Sequence, residues 1–174
     1  MKSLIFDTDV LSTFGKIRRL DLLRKLLPDA TFLIPPSVYG ELFKARDRGY
    51  EFVDHILWSG ILEATPLTKE ELGFLSRLSE ERRSLGSGEL EGISICKYRS
   101  YILVTNDTAA KKVCDRNRIE FIDLSMILKS LLATKILTGS ELGKLIDEIE
   151  RKDRVLIKDK DDILAEGSDQ VSDT

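Results

Sequence analysis

Five short apolar runs, each separated from the next by amphipathic stretches, constrain this chain more than any other feature. They are Ser3-Leu4-Ile5-Phe6, Thr31-Phe32-Leu33-Ile34, Ile61-Leu62-Glu63-Ala64, Tyr101-Ile102-Leu103-Val104 and Ile119-Glu120-Phe121-Ile122. Each is too short to be a helix burying a stripe, and most are rich in β-branched or aromatic residues, so they read as strands. Strands alternating with helices imply right-handed βαβ crossovers and a mostly parallel sheet covered on both faces, an α/β fold. A chain of 174 residues suits one such domain.

The intervening segments carry recognisable helix signals. Leu11, Phe14, Ile17, Leu20, Leu23, Leu26 and Leu27 recur at helical spacing, which predicts one helix over 10–27, ended by Pro28-Asp29. Ser37, after Pro35-Pro36, is the expected N-cap of a helix running to about Arg46. A short helix is expected over 50–58. Thr68 with Glu71 three residues on is a capping box opening a helix to about Arg83. Ser84-Leu85-Gly86-Ser87-Gly88 reads as a flexible loop feeding a helix from Glu89 to about Arg99. Further helices are expected over 108–117, 124–134 and 139–151, with Thr138 or Ser140 capping the last. From Lys152 the chain becomes charge-rich, so the expected organisation is a domain over 1–151 and a charged, poorly ordered tail over 152–174.

Composition excludes several classes. Hydrophobic content of 42% supports a proper core, and a formal net charge of −3 argues against a nucleic-acid coat protein, though not against an enzyme with a local basic rim. No apolar run approaches the roughly 18–20 residues needed to span a bilayer. The single histidine, His55, nearly excludes His-rich metal sites and Ser-His-Asp catalysis, and it reads as a partly exposed helix residue. Cys96 and Cys114 read as buried free thiols, which together with the missing leader and membrane span suggests a cytoplasmic protein.

Against that background four acids stand out. Asp7 and Asp107 directly follow strand runs, and Glu41 and Glu91 sit on helices within a few residues of Pro or Gly. Acids distant in sequence but sharing that address meet at one edge of a parallel sheet, where open α/β folds place ligand sites. Clustered hard oxygen donors point to a divalent cation, Mg²⁺ or Mn²⁺. Glu89 and Glu91 are two apart, about 200° round a helix, so both cannot face one point. Glu91 is assigned inward and Glu89 to the helix N-terminus, against the positive dipole end, from where it could swing towards the metal. Such a cation can hold a phosphate oxygen and lower the pKa of a bound water, the requirements of phosphodiester hydrolysis. Thr105 and Asn106 are placed to orient that water or the phosphate. Lys44, Arg46, Lys111 and Lys112 are candidates to track a nucleic-acid backbone.

Phe6-Asp7-Thr8-Asp9-Val10-Leu11, Val38-Tyr39-Gly40-Glu41-Leu42, Gly88-Glu89-Leu90-Glu91-Gly92-Ile93-Ser94-Ile95 and Leu103-Val104-Thr105-Asn106-Asp107 resemble, in order, the acidic motifs of the PIN-domain family. The resemblance covers roughly residues 1–135. It implies a three-layer α/β/α sandwich, Mg²⁺- or Mn²⁺-dependent cleavage of single-stranded RNA, and metal binding by Asp7, Glu41, Glu91 and Asp107. It also implies that this is a candidate toxin of a VapBC-type pair, partnered by a small antitoxin and by a second copy of itself. The stretch 52–58 is a candidate dimer face. The chain departs from the family pattern at Asp9, where Asn or Ser is common, and at Glu91, where Asp is frequent. Asp9 and Glu89 fall in supporting positions, and Asp123 could add a further carboxylate. A rival resemblance, to haloacid-dehalogenase-type phosphatases, would make Asp7 a nucleophile and Asp9 a general acid/base. It lacks the later acidic pair and leaves Glu41 and Glu91 without a role. The other alternative is a PIN-like module that binds RNA or a protein without cutting; such a member would be expected to lose an acid, and all four are present.

Overall fold

The computed structural model describes residues 2–82 and 84–165. Five parallel strands form one sheet in the order β3-β2-β1-β4-β5: β1 (Ser3–Phe6), β2 (Thr31–Ile34), β3 (Leu62–Ala64), β4 (Ile102–Val104) and β5 (Phe121–Ile122). The chain winds outward from β1 through β2 to β3, then crosses back to β4 on the other side of β1. The order therefore reverses between β1 and β4, and the carboxyl ends of those two strands flank the switch point.

The period-two alternation of β1 splits the core. Leu4 and Phe6 join Phe32, Ile34, Ile102 and Val104 on one face, while Ile5, Leu33 and Leu103 occupy the other. The first face is covered by α1 (Thr8–Lys16), α2 (Leu20–Leu26), α4 (Phe52–Leu57), α8 (Leu124–Ala133), α9 (Gly139–Asp153) and α10 (Lys160–Ala165). The second is covered by α5 (Lys69–Glu81), α6 (Ser87–Arg99) and α7 (Thr108–Asn117). The result is the expected α/β/α sandwich. α3 (Pro36–Asp47) sends Val38 and Leu42 into the first layer while touching α6. α6 lies hard on the sheet because Gly92 leaves room: a Cβ there would stand 2.8 Å from Leu103 Cδ1.

Three expectations need correction. The helix expected over 10–27 is two helices, because Arg18 takes a left-handed φ of 57° and the Arg19 amide donates back to Phe14 O at 2.9 Å, closing α1 in a Schellman turn. Ser37 does not cap α3; the N-cap is Pro35, which has no side-chain hydrogen bond to offer. The charge-rich stretch from Lys152, expected to be a poorly ordered tail, packs against the first layer over its described part. There Ile157 and Ile163 are buried in the core and α10 contacts α8 and α9. The remainder of that expectation falls on 166–174, outside the described residues. The expected capping box of Thr68 with Glu71 forms, and of the two candidate caps of α9 it is Thr138 that serves, closing a second box with Glu141.

Of the run over 52–58, Val53 and Ile56 are buried within the chain, whereas His55 and Trp58 are exposed. Cys96 and Cys114 are free and buried. No described helix is long and apolar enough to cross a membrane.

Candidate active site

Asp7 sits where β1 ends, and its backbone amide donates to Val104 O at 3.1 Å, tying it to the end of β4. Its Oδ1 accepts from the Val10 amide at 3.2 Å as the N-cap of α1. The residue is only 3% exposed, and its Oδ2 is buried with no hydrogen-bond partner among the described residues. Burial drives its pKa from 3.8 to about 7. The Thr105 hydroxyl and the Val10 amide pull it down, the Asp9 and Glu89 charges push it further up, and desolvation wins. A buried carboxylate with an unused oxygen costs stability unless something neutralises it.

Asp107 follows β4 and caps α7, its Oδ1 accepting from the Ala110 amide at 2.6 Å. Thr105 is fully buried, and its Oγ accepts from the Asp107 amide at 3.1 Å, fixing the turn between strand and helix. Asn106 is exposed, and its Oδ1 accepts from the Leu124 amide at 3.1 Å, so it joins the switch-point loop to α8. Asp9, open to solvent on the first turn of α1, has a raised pKa, first through desolvation by the surrounding protein and then through Asp153 and Asp107. Lys16 only partly offsets this.

α3 and α6 supply the remaining acids. Glu41 accepts a short hydrogen bond from Thr8 Oγ, the residue after Asp7. Glu89, in the first turn of α6, is half-buried; burial raises its pKa, a hydrogen bond from its own backbone amide partly offsets this, and the charges of Asp107, Glu41 and Asp9 raise it further. That coupling places Glu89 among the acids of the sheet edge. Glu91 is engaged elsewhere, accepting from the Ser37 amide at 2.8 Å and from Ser37 Oγ at 2.7 Å. The structure thus brings Asp7, Asp9, Glu41, Glu89 and Asp107 to one edge and turns Glu91 towards the start of α3. Being two residues apart on a helix separates the two glutamates as expected: Glu89 keeps its expected place at the start of α6, its carboxylate folded back beside Gly86, and Glu91, expected inward, is the one turned away.

The predicted basic residues are dispersed. Lys111 pairs with Asp123 at 2.9 Å, and Arg46 pairs with Asp54 of α4 at 2.7 Å; Lys44 and Lys112 are exposed. Asp123 also caps α8 at the Met126 amide. Beside the acids opens a cleft of about 460 Å³, bounded by Asp9, Asn106, Lys111 and Asp123 on one side and by the 153–159 segment on the other. Thr13 and Lys16 line it and both bind Asp153. Sequence reading overlooked these two, although Asp9, Thr13 and Lys16 share one helical face by spacing. As a set, the acids offer hard oxygen donors and mutual repulsion, which suit a divalent cation in kind. They are not a ready-made cage: no group of three Asp, Glu, His or Cys side chains among the described residues is gathered closely enough to hold a metal ion as it stands.

A parallel α/β/α sandwich with carboxylates gathered at its switch point defines a class of acid-centred α/β domains. The PIN-domain sequence profile matches residues 3–161, and the chain belongs to that family. No functionally curated protein sequence matches it. Among solved structures it is similar to VapBC2 of Rickettsia felis, bound to a DNA fragment from its promoter, with a TM-score of 0.54 and 16% identity over 70% of this chain and 98% of that one. It is likewise similar to VapBC-1 of nontypeable Haemophilus influenzae, with a TM-score of 0.54 and 14% identity over 70% of this chain and 97% of that one. At such identities the likeness speaks for the fold.

Proposed function

We propose that the chain is a divalent-metal-dependent endoribonuclease acting on single-stranded RNA, with Mg²⁺ or Mn²⁺ held by Asp7, Glu41, Glu89 and Asp107. The observation that carries this reading is Asp7: a buried carboxylate oxygen without a partner, its pKa near 7, flanked by further acids at the switch point. Membership of the PIN-domain family supports the same chemistry. When bound, the cation supplies charge neutralisation for the acids and polarisation of a phosphodiester and a water.

The chain's own residues set the rest. Asp107 and Thr105 hold the strand-to-helix turn rigid, so the Asp107 carboxylate has a fixed origin. Thr8 holds Glu41 beside Asp7. Asn106 and the exposed Asp9 face the cleft, which offers a path for the strand past Lys111. Glu89 replaces Glu91 in the proposed ligand set because Glu89 feels the other acids while both oxygens of Glu91 are occupied. An antitoxin partner is part of the proposal, supported by the similarity to two VapBC assemblies.

The test is cleavage of a pool of labelled single-stranded RNAs with Mn²⁺, with EDTA, and with Asp107→Asn in parallel. Wild-type cleavage should require the metal and fall by more than about a hundredfold in Asp107→Asn, since even partners of metal ligands cost 10–100-fold. Asparagine still caps α7, so the variant should stay folded. Metal-independent cleavage, or full activity in the folded variant, would sink the reading.

A further inference from the structure

Glu91 has the sequence position of an active-site acid and the bonds of a brace. Both its oxygens are used, Oε2 by the Ser37 amide at 2.8 Å and Oε1 by the Ser37 hydroxyl at 2.7 Å. The first amides of a helix lack intrahelical acceptors, and the N-cap of α3, Pro35, provides no side-chain hydrogen bond. Glu91 therefore brings from α6 what α3's own sequence lacks: an acceptor for a first-turn amide and a negative charge at the positive end of the helix. Glu41 lies four residues beyond Ser37, on the same face one turn along. The two helices meet closely at this point, since a Cβ on Gly88 would stand 2.9 Å from Val38 Cγ2 and 3.8 Å from Glu41 Oε1.

We propose that Glu91 is a positioning residue: by capping α3 through Ser37 it fixes the register of α3 against α6, and so sets Glu41 beside Asp7 while Glu89 is the acid that α6 presents to the site. The role of Glu41 and Glu89 as cation ligands rests on the proposed function; the brace itself does not. A ligand and a brace make different demands on the side chain. A cation ligand needs the negative charge, so Gln at position 91 would fail. A brace needs an acceptor for the Ser37 amide, which a Gln side chain still supplies, with the Ser37 hydroxyl accepting from its NH₂ group.

The experiment compares the full chain with Glu91→Gln, Glu91→Ala, Ser37→Ala, the double alanine variant and Glu89→Gln. Three quantities are read: Tm without metal, Mn²⁺ affinity by titration of free Mn²⁺, and RNA cleavage. Glu91→Ala and Ser37→Ala should each lower Tm by a few degrees and weaken Mn²⁺ binding several-fold. The double variant should be no worse than the worse single one, because both remove the same contact. Glu91→Gln should keep Mn²⁺ affinity within about threefold of wild type, while Glu89→Gln loses tenfold or more. The proposal is overturned if Glu91→Gln loses Mn²⁺ as fully as Glu89→Gln, or if the Ser37 and Glu91 effects on Tm add. Should wild type bind Mn²⁺ but cut no RNA, the nuclease reading falls while the affinities still decide the role of Glu91. Should it bind no Mn²⁺, the metal reading falls and additivity in Tm decides the brace.

Discussion

At the scale of single residues, Asp7 concentrates the tension of the site. Its place after an apolar strand run was legible in the sequence; its burial was not, because that depends on α1 and the β4 turn closing over it. The consequence is a pH dependence of known sign. The unfolded chain releases this proton near 3.8 and the folded chain near 7, so between those values the folded state holds a proton the unfolded state has lost. Stability without metal therefore falls as pH rises from about 4 to about 7 and then levels off. Asp9 and Glu89, also raised, act in the same direction. Asp7→Asn removes the largest contributor. In EDTA it should stabilise the fold at pH 8 relative to wild type, on the order of 1–3 kcal/mol, and by clearly less at pH 5. Denaturant titrations at the two pH values measure this, and equal shifts at both would show that Asp7 is not charged at a cost. Added Mn²⁺ should reverse the ranking at pH 8 if Asp7 is a ligand.

At the scale of elements, most helix bounds were readable, α7 spanning the expected 108–117 and α6 ending at the expected Arg99, whereas the cap of α3 and the break between α1 and α2 were not. Asp7, Thr68, Asp107, Asp123 and Thr138 all cap as their side-chain chemistry allows, since an oxygen two or three residues ahead of an amide is a local signal. α3 escaped that logic because its cap comes from Glu91, 54 residues away. Five helices, α1, α6, α7, α8 and α9, end at left-handed residues that are not glycine: Arg18, Ser100, Arg118, Lys135 and Arg154 all have φ between 54° and 58°, whereas α3 ends ahead of Gly49 at φ 88°. Nothing in an arginine announces that conformation, so α1 and α2 read as one apolar stripe. The same fact makes a prediction. Arg18→Gly removes a Cβ clash worth about 1–2 kcal/mol and adds back part of it as unfolded-chain entropy, for a net gain of about 0.5–1 kcal/mol. Arg18 is exposed, so little packing is lost. Thermal unfolding of the variant checks it, and a lower Tm would mean that the arginine stem contributes more than the turn costs.

For the molecule as a whole, alternation of strands and helices sufficed to give a parallel sheet with two covered faces. It could not place the segment after Lys152, because a charged composition describes solvated faces as well as tails. Here the charges are engaged: Asp153 binds Thr13 and Lys16, Asp159 accepts from Ser125, and Lys160 pairs with Asp147 and Glu150. They position two isoleucines, Ile157 and the fully buried Ile163, against the layer that carries α1. The 153–159 stretch is thereby held as one wall of the cleft beside Asp9. If this segment is structurally part of the domain, truncating Ile163 must weaken the entire fold. Ile163→Ala should cost about 2–4 kcal/mol in a single cooperative transition, the usual price of removing a fully buried isoleucine side chain. Leu156, 75% exposed on the same segment, is the control, and its alanine variant should shift stability by no more than about 0.5 kcal/mol. An unchanged midpoint in Ile163→Ala, or a separate early transition confined to the carboxyl-terminal segment, would mean that the wall is an appendage and that the cleft can open without unfolding the sheet.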